Sequence, residues 1–376
     1  MNRGMKALGF IGVGLLLANV AYAAPSGLLN DTGQTQCLNV TGTALEECTA
    51  ENSGDDSPYP GQDGRYGRDA AAKYPQQSGF TKPEGSGGDG GFAFTPLDVN
   101  GNPIPLVGDP PVPAESPRCV WDRVTNLIWE VKTDDRGLQD KNWTYNWGIT
   151  ATFPGDCYTS PNCYTKKYVS DLNETDLCGE KENNWSVPDI GTLMQISDRT
   201  PQSSIDSNRF YFPHTAPQYW SSRCINHQSN LGTVHSVAQD GRINTWGGYE
   251  QCWYAFGSSN ALPVRLVRGG PNSAPDQSGF VDSEHGTIID SGLMWDQCAW
   301  GQAGSSCADS PASLHTWQEA LKVAKTANAI RWLGYDDWRI PNVNELISMP
   351  YLPSEYGSYY WSSTVYGSSP VTAWYI

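Results

Sequence analysis

The chain repeats itself, and the repeat constrains the fold more than any other feature. Asn126-Leu127-Ile128-Trp129, Asn184-Trp185-Ser186-Val187-Pro188, Tyr219-Trp220-Ser221-Ser222 and Val264-Arg265-Leu266-Val267-Arg268 follow one another in the middle of the sequence. Further on, Gly292-Leu293-Met294-Trp295, Asp337-Trp338-Arg339-Ile340-Pro341 and Tyr360-Trp361-Ser362-Ser363 come in the same order, without the closing Val-Arg-Leu-Val-Arg. The expectation is two copies of one domain, complete over 118–270 and incomplete over 278–376. A turn-rich linker at 271–277 would join them.

Local signals point to an α+β unit. Thr316-Trp317-Gln318-Glu319 is a capping box that should open a helix, with Trp317, Ala320, Leu321 and Ala324 as its core-facing stripe. Asn342 to Glu345 repeats the capping logic before Leu346, Ile347 and Met349, and the counterpart in the first copy starts at Asp189. The Leu-Ile-Trp, Tyr-Trp-Ser-Ser and Val-Arg-Leu-Val-Arg pieces are short and β-prone, bounded by Gly, Asn, Pro or Ser, as strands of a small sheet would be. The repeated Trp are read as core residues, whereas Trp143 and Trp147 are freer to meet a ligand.

All 15 Trp lie beyond residue 120, so the packed cores are expected to begin near Arg118. Residues 24–117 read as a loop-rich Gly/Pro segment, and Gly85-Ser86-Gly87-Gly88-Asp89-Gly90 within it as flexible loop rather than a dinucleotide site, because no strand precedes it. Residues 1–23 have the order of a signal peptide: Arg3 and Lys6, an apolar run from Ala7 to Ala18, then Ala21-Tyr22-Ala23. The run falls short of the ~18 apolar residues of a spanning helix. Export to the periplasm, cell surface or extracellular space is therefore expected. Loss of Arg3 and Lys6 would take the formal net charge from -16 to -18, which disfavours nucleic acid and anionic membranes as partners.

The ten Cys suit an oxidising compartment. Near pairs Cys37 with Cys48, Cys157 with Cys163 and Cys298 with Cys307 would close local loops. For Cys119, Cys178, Cys224 and Cys252 three connectivities are open, of which Cys119 with Cys178 and Cys224 with Cys252 is favoured.

These segments resemble the C-terminal domain family of the Legionella collagen-like adhesin, Lcl. The resemblance runs through Cys119-Val120-Trp121-Asp122, Ile128 to Asp135, Gly137-Leu138, Trp143-Thr144-Tyr145, Leu177-Cys178-Gly179 and the closing Val-Arg-Leu-Val-Arg. Upstream, Asp31 to Thr35 and Tyr66 to Ala71 look like segments that commonly precede such a domain. The resemblance implies C-type-lectin-like domains, surface display or secretion, and adhesion to a glycan or protein rather than catalysis. Ile340-Pro341-Asn342 and Trp-Ser-Ser stand where calcium-dependent lectins have Glu-Pro-Asn and Trp-Asn-Asp, so their sugar-binding chemistry does not carry over.

The residues themselves supply little catalytic chemistry. His214, His227, His235, His285 and His315 contain no i, i+4 metal pair, and no Gly-x-Ser-x-Gly elbow occurs. Asp134, Asp135 and Asp140, or Asp336 and Asp337, could serve a glycosidase or hold a structural calcium ion, although solvated turn residues are the plainer reading. No catalytic residue and no cofactor is assigned. The candidate ligand contacts are Trp246, Tyr249, Trp253 and Tyr254 with Arg242 and Asn244, groups that suit stacking and hydrogen bonding. An exported, non-catalytic adhesion or binding protein is the leading expectation. A structural subunit of a surface layer or appendage, with a capacity to oligomerise, is the alternative, and a secreted glycan hydrolase is third.

Overall fold

The computed structural model describes residues 29–147, 155–179, 185–199, 210–213, 218–226, 231–238, 243–250, 261–269, 280–282, 287–290, 293–304, 306–348, 359–366 and 373–375. The signal-peptide region lies outside them. Among the described residues no helix is long and apolar enough to cross a membrane.

The architecture is mixed helix and sheet with several small sheets. In the first half the strands β1 (Phe94–Leu97), β2 (Cys119–Asp122) and β3 (Leu127–Glu130) form an antiparallel run. Helices α1 (Thr165–Asn173) and α2 (Ile190–Met194) follow. A second sheet is the meander β4 (Gln218–Asn226), β5 (Leu231–Ala238) and β6 (Ile243–Glu250). The closing strand β7 (Val267–Gly269) returns to pair antiparallel with β3, giving the order β7-β3-β2-β1.

The second half runs through β8 (Phe280–Asp282), β9 (Thr287–Asp290), β10 (Leu293–Asp296), α3 (Trp317–Ala329), α4 (Val343–Ser348), β11 (Trp361–Val365) and β12 (Ala373–Tyr375). Its first sheet is β8-β9-β10, and β11 pairs with β12. The hairpin registers coincide: Cys119 opposes Glu130 and Val120 opposes Trp129 in one half, while Thr287 opposes Asp296 and Ile288 opposes Trp295 in the other.

The same side chains then fasten the same backbone. At the end of α1, Asn173 donates to the Trp185 carbonyl (3.0 Å) and accepts from the Trp185 amide (2.9 Å). At the end of α3, Asn328 does so with Trp338 (2.9 and 2.7 Å). The Ser222 amide donates to the Pro188 carbonyl and the Ser363 amide to the Pro341 carbonyl, both at 2.8 Å. Cys178 and Leu333 each take a positive φ inside a single 3-10 turn and are followed by a glycine.

Helix starts follow the capping signals. Thr316 and Glu319 form the reciprocal box on α3, and Trp317, Ala320, Leu321 and Ala324 are buried. Before α4 the Asn342 side chain accepts from the Glu345 amide and Glu345 from the Asn342 amide. Asp189 caps α2 through the Thr192 amide.

Two expectations about the N-terminal segment are corrected. The packed core does not begin at Arg118: Phe92 and Phe94 pack with Trp129 and Val120, Leu97 with Cys119 and Ile128, and Leu38 with Trp317 and Leu321. The segment supplies β1, so its backbone groups are met by the first-half sheet. Nor is the Gly85–Gly90 run simply flexible, since Gly87 bridges to Phe94 and the neighbouring Gly91 amide donates to Asp69 (2.6 Å). Four disulfides close: Cys37–Cys48, Cys119–Cys178, Cys157–Cys163 and Cys298–Cys307. Cys224 lies on β4, while Cys252 is outside the described residues.

Candidate functional site

Three places concentrate polar or aromatic chemistry. The first is a buried charged knot under β7. Glu130 and Lys132, both inaccessible to solvent, form an ion pair at 2.7 Å, and the Tyr168 hydroxyl accepts from Lys132 and donates to Glu130. The other Glu130 oxygen accepts the Leu266 amide (2.9 Å), while Arg265 donates to the Glu130 carbonyl and the Tyr219 hydroxyl. Burial lowers the Lys132 pKa and raises that of Tyr168. With every group sealed beneath the closing strand, the knot locks that strand and offers a substrate no approach.

The second is a polar seam between the halves, made by the N-terminal segment. Toward the first half, the Asn30 amide donates to Gln195 (2.6 Å), its side chain donates to Asp122 (2.5 Å), and the Arg199 amide donates to the Thr32 carbonyl (2.7 Å). Toward the second, Asn342 donates to the Asp31 carboxylate (3.1 Å), and Asn344 to the Asn30 and Asp31 carbonyls (3.0 and 3.1 Å). Asp63 accepts hydroxyls from both Thr32 (2.6 Å) and Thr364 (2.7 Å). Gly67, at φ +83°, lies so close that a Cβ there would sit 2.1 Å from the Asp31 carboxylate.

Burial dominates the electrostatics of this seam. It pushes Asp63 up to about 7, helped by the charge of Asp31, and Asp69 and Asp122 each to about 6. Asp31 is raised well above the ordinary carboxylate range by burial and by Asp69. Nearby, Arg339 grips Glu345 with two bonds of 2.7 and 2.6 Å. Alongside these bonds α2 packs on α4, with Ile190, Leu193 and Met194 sharing a core with Val343 and Ile347. The seam's carboxylates are engaged in joining segments.

Four of the five carboxylates singled out in the sequence have local partners. Asp134 pairs with Lys141 (2.9 Å), Asp135 accepts from the Thr133 hydroxyl and the Gly137 amide, Asp140 from the Arg136 and Asn142 amides, and Asp336 pairs with Arg331. Among the described residues no group of three or more His, Cys, Asp or Glu side chains is placed to hold a metal ion.

Of the expected ligand contacts, Asn244, Trp246 and Tyr249 lie on β6, the outer strand of its meander, opposite Ser236, Val234 and Gly232 of β5. The register shifts between Trp246 and Tyr249. Arg242, Trp253 and Tyr254 lie outside the described residues. Trp143 and Trp147 belong to the first-half core and are not free: the Trp143 indole donates to the Gly137 carbonyl, and Trp147 packs 5.9 Å from Trp220.

The third place was missed in the sequence. Trp129, Trp185 and Trp220 are buried as expected, but Trp295, Trp338 and Trp361 are half-exposed. Around the latter, Trp300 stands edge-on to Trp332 (5.4 Å), Tyr335 edge-on to Trp338 (6.2 Å), and Tyr375 contacts both Tyr359 and Trp361. Among the described residues the two halves differ in a covering strand. In the first half Val264 and Leu266 close over Trp185 and Trp220 within one core, and no strand among the described residues does this in the second half.

No curated protein and no solved structure matches the chain. A family model does match, over residues 286–376, the stretch that holds β9 to β12 and the half-exposed tryptophans. That model is the Lcl C-terminal domain, and it is this stretch of the chain that is similar to it.

Proposed function

We propose that this is an exported, non-catalytic binding or adhesion protein of the bacterial surface or extracellular space. In this reading it is built from two tandem Lcl C-terminal-like domains with a C-type-lectin-like fold. The observation that carries the reading is the Lcl C-terminal domain itself. Four disulfides support an oxidising destination. The paired Asn–Trp clasps and the coincident hairpin registers support the tandem arrangement.

The ligand is a neutral glycan or a protein surface, met mainly by the first copy through Asn244, Trp246 and Tyr249 together with Arg242, Trp253 and Tyr254. An acidic chain does not attract sulfated polymers without a local basic patch. Binding to neutral and sulfated glycans and to matrix proteins, at low and moderate salt, tests this. Trp246→Ala or Trp253→Ala should weaken binding at least tenfold without unfolding the protein. Tight, strongly salt-dependent heparin binding that neither substitution alters would sink the proposal.

A structural role in a surface assembly is the second reading. The half-exposed aromatic side chains of the second half, Trp295, Trp338 and Trp361, favour it, because such a face suits packing against a neighbour.

A further inference from the structure

We propose that Asn142 is a glycosylation acceptor, its side-chain nitrogen taking a saccharide from a polyprenyl-diphosphate donor as the chain is exported. The inference rests on the export part of the proposed function and uses nothing of its ligand part.

An enzyme that glycosylates asparagine needs the carboxamide and, two residues on, a hydroxyl that bonds and orients it, which gives the pattern Asn-x-Ser or Asn-x-Thr. Five segments satisfy it: Asn30-Asp31-Thr32, Asn39-Val40-Thr41, Asn142-Trp143-Thr144, Asn173-Glu174-Thr175 and Asn184-Trp185-Ser186. So short a pattern also arises by chance, and the fold has to choose among them. A glycan is bulky and hydrated, so the folded protein can carry one only where the acceptor faces solvent.

Three acceptors fail this condition. Asn30 is 1% exposed, and its side-chain nitrogen donates to Asp122 inside the seam. Asn173 is half-buried, with nitrogen and oxygen both engaged by the Trp185 backbone. Asn39 is half-buried in a tight loop, where its side-chain oxygen accepts the Thr43 and Ala44 amides (2.9 and 3.3 Å). Asn184 lies outside the described residues.

Asn142 meets the condition. It is exposed, at the end of the turn that Thr133 and Asp140 close. Among the described residues its side-chain nitrogen bonds the Asp140 carboxylate (2.9 Å). A carboxamide nitrogen carries two hydrogens and its glycosylated form keeps one, so this bond survives the modification. The partly exposed pair Asp134 and Lys141 keeps the turn solvated. The flanking groups are placed differently. Asp140 is 1% exposed, and the Thr144 hydroxyl accepts the Asp156 amide (3.1 Å) while the Thr144 amide donates to the Asp156 carbonyl (2.8 Å). With the orienting hydroxyl taken up by the fold, transfer precedes folding, and the finished fold leaves the acceptor outside.

In the transfer the Asn142 Nδ2 attacks the anomeric carbon of the donor. A C–N bond forms as the C–O bond to the diphosphate breaks, one amide proton passes to solvent, and the polyprenyl diphosphate leaves.

The test is a peptide map, by mass spectrometry, of the full chain recovered from the envelope or medium of the cells that make it. The Asn142 peptide should carry a mass increase equal to a whole number of sugar residues, and the Asn30, Asn39 and Asn173 peptides none. Thr144→Ser should keep the increase, whereas Thr144→Val and Asn142→Gln should abolish it. Asn142→Gln changes an exposed side chain, so a folded variant without the sugar reads the chemistry rather than stability. A bare Asn142 on a chain that begins at Ala24 would overturn the proposal and leave export standing. A chain that retains residues 1–23 would overturn both, and a saccharide on Asn173 in place of Asn142 would overturn the proposal alone.

Discussion

Trp129 and Trp295 occupy the same register position on two hairpins, yet the first is fully buried and the second half-exposed. Both halves have the hairpin, the clasped Trp after the helix, and the capped short helix that follows it. They differ in what lies on the outer side of the hairpin. In the first half a strand crosses it and brings Arg265 and Leu266 onto Glu130. In the second, Asp296 instead receives the Cys298 amide and the Trp332 indole. Similar motifs thus lie in a sealed core beside a closing strand in the first half and are half-exposed in the second, where no such strand occurs among the described residues.

The largest expected effect separates these two states. Lys132 is wholly buried and neutralises Glu130, so Lys132→Met leaves a carboxylate unpaired beneath the closing strand. Breaking such a pair costs about 3–5 kcal/mol. Urea unfolding should show that loss in the first half, while Asp296→Asn changes stability by less than about 1 kcal/mol, as expected for a partly exposed group with neutral partners. A neutral Lys132→Met, or an equal loss at Asp296, would mean that the knot does not distinguish the halves.

Much of this was legible in the sequence, for identifiable reasons. Thr316-x-x-Glu319 and Asn342-x-x-Glu345 are local devices whose bonding partners lie within one turn, and they form as read. The α+β class followed from short β-prone pieces alternating with capped helical stripes. The N-terminal segment was misjudged because composition hides long-range polar bonding. Asn30, Asp31 and Asp63 look like loop residues, but their partners are some 90 to 310 positions away. The half-exposure of Trp295, Trp338 and Trp361 was likewise invisible to a motif-by-motif reading, since the burial of a Trp depends on tertiary cover that its own motif does not encode. The proposed contacts on and beyond β6 rest on residue type alone.

The seam that joins the halves should respond to pH in a direction opposite to ordinary acid denaturation. Asp69 and Asp122 at about 6 and Asp63 at about 7 stay protonated in the folded protein at pH values where the unfolded chain has already ionised them. Between pH 4 and 7 the folded state therefore holds more protons, and stability falls as pH rises. Asp122 alone accounts for up to about 3 kcal/mol at 1.36 kcal/mol per pKa unit. Thermal unfolding from pH 5 to 7.5 should show a declining midpoint, and Asp122→Asn should flatten the decline. A midpoint that climbs across this window would remove the seam's buried acids as the link between the halves.

The smallest effect concerns how each half starts its main helix. Among the caps of α1 and α3, only α3 has a side chain at its N-cap that accepts a backbone amide: Thr316 receives the Glu319 amide, and Glu319 returns to the Thr316 amide and hydroxyl. Helix α1 starts from Tyr164 without a side-chain cap, and its first residue, Thr165, is instead tied through its amide and hydroxyl to the Asn146 carbonyl in the first-half interior. The second half, with less tertiary cover, thus depends more on local bonding. Thr316→Ala should cost about 1 kcal/mol, the usual loss for such a cap, and should speed exchange of the Trp317 to Glu319 amides. Tyr164→Ala removes no capping bond and should leave the first-turn amides of α1 as slow as before. Equal acceleration at both helix starts would show that the two halves anchor their helices alike, and that the contrast between them is confined to the strand edge.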